Sequence, residues 1–368
     1  MRICYDYQIF AAQKYGGISR YIIEIASRIH EYPDARVQII APLYRSLLLH
    51  EKRGRLPVVG AYFAGDFDRA TGFCMKAGKL FNKAISGFYR PEIVHETYYS
   101  PIQTLRSGTK TVLTVHDTVA ELFPDPSSRK PGPLPLRQVA FDRADHLICI
   151  SHNTQTDLVR IYNVDPAKVS VIPLASSIVP SSRPPISLPE PFFLYVGSRW
   201  GYKNFLGLAR AYREVGLYKT HKLICFGGDE ALTKNETRTL SELGIPLDRC
   251  DVVNGNDDLL SRYYAGAVAV IYPSFYEGFG IPPLEAMGCS CPVLCSNSSS
   301  MPEVAGDAAI YFDPHDSSSI ADALLKVANS SQERERLIQK GRERSRQFSW
   351  DSCARETYAV YERLLAAE

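Results

Sequence analysis

Apolar runs of strand length alternate with amphipathic stretches of helix length along most of the chain. Strands buried on both faces of a parallel sheet read as continuous apolar runs, and the periodic stretches between them supply the crossover helices. In the front half, strands are expected at 2–8 (RICYDYQ), 36–43 (RVQIIAPL), 92–99 (EIVHETYY), 110–116 (KTVLTVH), 146–151 (HLICIS) and 169–175 (VSVIPLA), with helices over 18–32 and 152–162 among them. Residues 176–192, SSIVPSSRPPISLPEPF, break the alternation with Ser and Pro and read as an interdomain linker. The alternation then restarts, with strands at 192–198, 222–228, 251–255, 268–274 and 291–296, and helices at 205–215, 233–244, 257–267 and 282–288. A further helix opens at Ser300, where Glu303 has capping-box spacing and Pro302 sits in the first turn. The fold class is therefore α/β, with two Rossmann-like, doubly wound parallel sheets. The front domain is expected over 1–178 and the back domain over 179–347. Ligands of such sheets lie beyond the carboxyl ends of the strands.

A length of 368 residues agrees with two cores rather than one. A composition 45% hydrophobic and 22% charged is that of a globular protein. No run approaches the eighteen or so apolar residues of a membrane span, and the chain opens on MRICYDYQIF without a signal-like segment, so a cytoplasmic protein is expected. Nine cysteines, an odd number, lie mostly in apolar runs, as thiols of a reduced compartment do. Cys289, Cys291 and Cys295 are close together but lack a nearby His or fourth Cys, which favours packing over a zinc site. Residues 1–180 carry 22 Lys+Arg against 16 Asp+Glu. That excess is too mild and unpatterned for nucleic acid, and suits an acidic ligand or membrane surface.

The strongest motif is Ser274-Phe275-Tyr276-Glu277-Gly278-Phe279-Gly280-Ile281-Pro282-Pro283-Leu284-Glu285, directly after an apolar strand. Glycines permit a tight turn with close backbone approach, and the two prolines pre-set a helix start. The free N–H groups and positive dipole end of that start suit a phosphate. Glu277 and Glu285 flank it, each able to accept hydrogen bonds from sugar or ribose hydroxyls. A second candidate is Arg199 with Lys203 in VGSRWGYKN, again just beyond a strand, where fixed cations would stabilise a departing diphosphate. Gly16-Gly17-Ile18 precedes an amphipathic helix and offers backbone N–H groups, although a packing turn reads the same way. No G-x-G-x-x-G follows any strand, which argues against a nicotinamide dehydrogenase.

The framing EGFGIPPLE, followed by PVLCSN and MPEVAGDAAIYFDP, resembles the retaining family 4 glycosyltransferases of GT-B fold. The resemblance extends through YQIFAAQKYGGISRY, VGSRWGYKN, the HD pair and FSWDSCARETYAVYERLL to nearly the whole chain. Its opening and VGSRWGYKN are most similar to the bacterial mannosyltransferase-B-like branch, which builds surface polysaccharide such as O-antigen. The resemblance implies two facing Rossmann-like domains with the cleft between them, and a last helix over 350–368 returning to the front domain. It implies that Arg199, Lys203, Gly17, Gly278, Phe279, Gly280 and Ile281 hold the donor diphosphate. Glu285, Val253 and Asn254 would hold the nucleoside, and His116 and Glu277 would be catalytic; Asp117 reads as structural. It further implies a metal-independent hexosyltransferase without cofactor that works by front-face substitution. The donor would be a nucleotide sugar, GDP-mannose first and another GDP- or UDP-sugar second. The acceptor would be a glycan, free or lipid-linked.

Three rival readings accompany this one. A sugar-nucleotide epimerase of the same architecture would turn over donor without acceptor, and a silent glycan-binding protein would turn over nothing. Asp66-Phe67-Asp68 after the apolar run VVGAYFA would instead hold a divalent ion on the diphosphate. Finally, residues 73–88 place Phe73, Ala77, Leu80, Phe81, Ala84, Ile85 and Phe88 at helical spacing with Lys76, Lys79 and Lys83 between. Such a helix either rests peripherally on an anionic membrane at the inner face of the cytoplasmic membrane or packs on its own core.

Overall fold

A computed structural model describes residues 1–65, 70–100, 109–124 and 134–366, without the side chains of 82–87 and 134. Asp66-Phe67-Asp68 thus lies outside the described residues, as do the side chains of Lys83, Ala84 and Ile85. The chain divides into two compact units, residues 1–174 with 350–368, and residues 175–349.

The first unit runs β1 (Arg2–Tyr5), α1 (Gln8–Ala12), α2 (Gly17–His30), β2 (Arg36–Tyr44), α3 (Leu47–Lys52), β3 (Val58–Tyr62) and α4 (Ala70–Tyr89). It continues through β4 (Ile93–Glu96), β5 (Lys110–Val115), α5 (Val119–Leu122), α6 (Leu134–Arg143), β6 (His146–Cys149), α7 (His152–Tyr162) and β7 (Val169–Val171). Its strands form one sheet in the order β3-β2-β1-β4-β5-β6-β7, every described pairing parallel. Two expectations are corrected here. Residues 2–8 are not one strand: the chain leaves β1 after Tyr5 and turns into α1, whose Gln8, Ile9, Phe10 and Ala11 are all buried. A helix buried all round shows no apolar periodicity. The expected strand over 169–175 is also shorter, ending at Val171.

The second unit runs β8 (Phe192–Val196), α8 (Phe205–Glu214), β9 (Lys222–Phe226), α9 (Lys234–Glu242), β10 (Cys250–Val253), α10 (Asp257–Gly266) and β11 (Ala269–Tyr272). It continues through α11 (Ile281–Gly288), β12 (Val293–Ser296), α12 (Met301–Ala305), β13 (Ala309–Phe312), α13 (Ser317–Asn329) and α14 (Ser331–Ser345). The sheet order is β10-β9-β8-β11-β12-β13, again parallel throughout. Alternate residues of β8 feed two cores. Phe193 and Tyr195 join Leu223 and Cys225 on one face, while Phe192, Leu194 and Val196 join Ile224 on the other. Burial on both faces explains why these strands are apolar without alternation. The segment read as a linker packs against this unit. Ile178 lies in its core, Ser181 Oγ donates to Asp258 Oδ1 at 2.7 Å, and the Ile186 N–H donates to the Arg262 carbonyl at 3.0 Å. Its prolines break regular structure without freeing the chain.

The last helix, α15 (Trp350–Ala366), belongs to the first unit. Its Tyr361 hydroxyl is 2.6 Å from His95 Nδ1 and 3.2 Å from the Tyr5 hydroxyl, and His95 Nε2 is 2.8 Å from Thr114 Oγ1. With both ring nitrogens engaged and the ring wholly buried, His95 is held neutral, its pKa lowered to about 3 by burial and by neighbouring His116. All nine cysteines are buried and free. Among the described residues no helix is long and apolar enough to cross a membrane.

Candidate functional site

In the second unit, β8 to β10 are laid down in one direction and β11 to β13 in the other, so the chain order reverses between β8 and β11. That is the topological switch point, where loops leaving adjacent strands part and a ligand can enter. Lys203 leaves β8 and Glu277 leaves β11, and they meet: Lys203 Nζ lies 2.7 Å from Glu277 Oε1. The Tyr272 hydroxyl accepts from the same ammonium at 3.3 Å, and the Tyr202 ring centroid lies 5.1 Å from it. Burial alone would lower the lysine's pKa. The Glu277 carboxylate, with Tyr272 and Tyr202, outweighs that and holds it well above the ordinary value, so this is a fixed cation at neutral pH.

The loop carrying Glu277 ends at Gly280, the N-cap of α11, with φ +110°. A side chain there would be strained by the backbone and would meet Met301 Cε at 2.3 Å. Ile281, Pro282 and Pro283 form the first turn of α11; no side chain caps it, and since the prolines carry no N–H, Ile281 and the glycine loop before it are the donors left to face an anion. The capping box expected at Ser300 is absent. Its hydroxyl serves the Glu277 loop, donating to the carbonyls of Glu277 at 2.9 Å and Phe279 at 2.7 Å. Ser298 Oγ donates to the Phe275 carbonyl at 2.9 Å, and Ser299 Oγ accepts from the Glu277 N–H at 3.0 Å. Three successive serines therefore hold the loop in shape, a role no local pattern announces. Ser274 and Ser296, beyond or at the carboxyl ends of β11 and β12, bury hydroxyls with no hydrogen-bond partner.

Arg199 and Lys203 have different partners. The Arg199 side chain is wholly buried, with Nε donating to Glu236 Oε1 at 3.1 Å, one NH2 group to the Gly227 carbonyl and the other to the Ala231 carbonyl at 2.8 Å. Its guanidinium thus bonds the loop after β9 and α9. Gly227 in turn donates its N–H to the Val253 carbonyl at 2.8 Å, tying that loop to the end of β10, and Asn254 beyond it is exposed. Glu285 lies on α11 and accepts from the Tyr264 hydroxyl at 3.0 Å. Lys203, the Gly227 loop, Val253 and Glu277 therefore lie at or beyond the carboxyl ends of four strands of one sheet.

In the first unit, His116 follows β5, and its N–H donates to the Tyr99 hydroxyl at 3.2 Å. The ring is buried, edge-on to Tyr21 with centroids 5.3 Å apart. Burial, and after it the Arg137 guanidinium, lowers its pKa to about 3, so the imidazole is neutral. Arg137 was not foreseen, yet it organises this turn. Nη1 donates to the Asp117 carbonyl at 3.0 Å and to both Glu121 carboxylate oxygens at 3.1 Å, and the guanidinium lies 4.3 Å from the Tyr99 ring centroid. Asp117 Oδ1 accepts from the Val119 N–H at 3.2 Å, a local turn bond. Gly16 has an extended backbone, and a side chain there would strike Gln13; Gly17 opens α2 with empty space where a side chain would stand.

The description "Glycosyltransferase Family 4" matches residues 15–175, and "Glycosyl transferases group 1" matches residues 181–344. The O-antigen chain mannosyltransferase B of Escherichia coli is 31% identical over 302 residues, covering 75% of each chain. The O-antigen chain mannosyltransferase RfbU of Salmonella typhimurium is 30% identical over 240 residues, covering 65% of this chain and 66% of the relative. Sucrose-phosphate synthase from Thermosynechococcus elongatus superposes with a TM-score of 0.76 at 17% identity, covering 100% of this chain and 99% of the other. That likeness concerns the fold, the paired doubly wound sheets of the GT-B architecture. With the switch-point geometry and these matches together, the chain belongs to the family 4 glycosyltransferases.

Proposed function

We propose that this glycosyltransferase moves mannose from GDP-mannose onto a glycan acceptor, with retention and without a metal ion, in bacterial surface polysaccharide synthesis. The observation that carries the site is the Lys203–Glu277 pair at the switch point, beside the open start of α11. Both relatives described above are named as O-antigen mannosyltransferases, which favours mannose over another hexose and a polysaccharide over a small acceptor.

In this reading the diphosphate sits against the start of α11 and shares the Lys203 ammonium, while Gly278 to Ile281 supply backbone N–H groups. Glu277 accepts from sugar hydroxyls, and Glu285, Val253 and Asn254 address the nucleoside. Arg199 supports the Gly227 loop. The bond from the sugar's anomeric carbon to the β-phosphate oxygen breaks as the acceptor hydroxyl oxygen bonds to that carbon on the same face. The hydroxyl proton passes to the departing phosphate oxygen. No protein nucleophile is invoked, so the enzyme contributes position and preorganised charge. His116, its imidazole neutral, and Gly17 are the first unit's proposed contributions to transfer. In place of a metal ion, Lys203 is the charge assigned to the departing diphosphate.

The acceptor is proposed to be lipid-linked. Ala70, Cys74 and Gly78 turn α4 toward its own core, leaving Phe73, Leu80, Phe81 and Phe88 exposed, the last at 91%. Lys76 and Lys79 are exposed beside them, and α4 contains no acidic residue. An apolar edge flanked by cations suits an anionic bilayer. Salt-sensitive sedimentation with phosphatidylglycerol vesicles is expected, and its absence would remove the membrane contact.

The deciding assay incubates GDP-mannose with mannose-containing oligosaccharides in excess chelator. Transfer yielding an α-linked product supports the reading. Donor turnover without acceptor would mean an epimerase, and loss of transfer on chelation would mean a metal site.

A further inference from the structure

Trp200 is 57% exposed, three residues before Lys203 on the loop leaving β8. A single exposed aromatic is ordinary on a protein surface. What distinguishes this one is the anchored loop that carries it. Gly201 and Asn204, on either side of the next short turn, both take left-handed backbone, φ +54° and +55°. The Asn204 side-chain amide donates to the carbonyls of Pro273 at 3.1 Å and Pro314 at 2.8 Å, and the Tyr202 carbonyl accepts from the Phe275 N–H at 2.8 Å. The loop is thereby tied to the segment leading into Glu277. The Trp200 ring stands edge-on against Tyr202, centroids 5.5 Å apart at 84°, and Tyr202 in turn lies against the Lys203 ammonium. An exposed indole on an anchored loop, in contact through one ring with the cation of the site, is a contact surface whose backbone ordering has been met by folding.

Resting on the glycosyl-transfer reading above, we infer that Trp200 is a stacking platform for a pyranose ring of the acceptor glycan. One face of a pyranose carries C–H groups with slight positive charge, which the negative face of an indole attracts while both shed water. The acceptor is favoured over the donor sugar by exposure. Lys203 and Glu277, which address the donor, keep side-chain exposures of only 14% and 11%, whereas Trp200 is open to a chain arriving from solvent.

The chain has two tryptophans, and Trp350 is buried in the first unit, so a solvent-side change in indole emission reports on Trp200. Titration of the full chain with an α-linked mannotriose should shift the emission saturably, and Trp200→Phe should abolish the shift. Trp200→Ala should raise the acceptor KM about tenfold, Trp200→Tyr much less, with GDP affinity unchanged in both. A GDP-binding protein whose emission ignores mannotriose, or a Trp200→Ala variant with unaltered acceptor KM, overturns this inference alone. A protein that binds no GDP overturns the reading beneath it.

Discussion

The two units share a topology and differ in what fills the switch point. In the first unit the reversal lies between β1 and β4, and Asp6 closes it. Its Oδ1 accepts from the Thr97 hydroxyl at 2.6 Å and the Thr97 N–H at 3.0 Å, and its Oδ2 from the Gln8 amide at 2.7 Å. In the second unit the equivalent place holds the Lys203–Glu277 pair. The Asp6 carboxylate is engaged in hydrogen bonds to Thr97 and Gln8 of its own chain. An ammonium paired with a carboxylate can share its charge with an arriving phosphate. The same fold thus sets a hydrogen-bonded carboxylate at one switch point and a lysine–glutamate pair at the other.

The comparison is most exposed to substitutions in the pair itself. Lys203→Ala or Glu277→Ala should lower kcat/KM for transfer at least a hundredfold, since a charge-assisted contact made to a developing charge is lost. Steady-state kinetics on the folded proteins checks this. Asp6→Ala should instead destabilise the first unit by about 2–3 kcal/mol, because the Thr97 and Gln8 donors lose their acceptor while buried. Urea unfolding followed by Trp350 emission in a Trp200→Phe background measures it, and GDP affinity should not change. Arg137→Met should reduce kcat about tenfold by loosening the His116–Asp117 turn, with GDP affinity again unchanged and Arg137→Lys recovering part of the loss.

Smallest per pH unit is the pH dependence that two buried histidines give the first unit. His95 and His116 have folded values lowered to about 3, below the unfolded value near 6.5. Their contribution is intact above about pH 6.5 and falls as the pH drops from there toward 3, on the order of 1 kcal/mol per histidine per pH unit. The urea midpoint reported by Trp350 should fall accordingly.

Much of this arrangement was legible before any coordinates. Strands such as 192–196 and 222–226 announce themselves because burial on two faces demands unbroken apolar runs, and the turn at Gly280 because glycines followed by two prolines after such a run mark a tight turn into a helix, which the dihedral of Gly280 and its closeness to Met301 bear out. What escaped was set by contacts distant in sequence. β3 is a partly exposed edge strand with a central Gly60, too mixed in pattern to count as a buried strand. Nothing near Arg199 reveals Glu236, which takes its guanidinium, and the Ser300 hydroxyl has two equally local uses that only the folded loop decides between. Arg137 sits on a helix with no periodic apolar face and acts through Tyr99 and Asp117.

The most direct measurement is calorimetric titration of GDP into the wild type, Lys203→Ala and Asp6→Ala. The account predicts that Lys203→Ala weakens binding about 10- to 100-fold while Asp6→Ala leaves it alone. Equal affinity for all three, or a loss confined to Asp6→Ala, would contradict it.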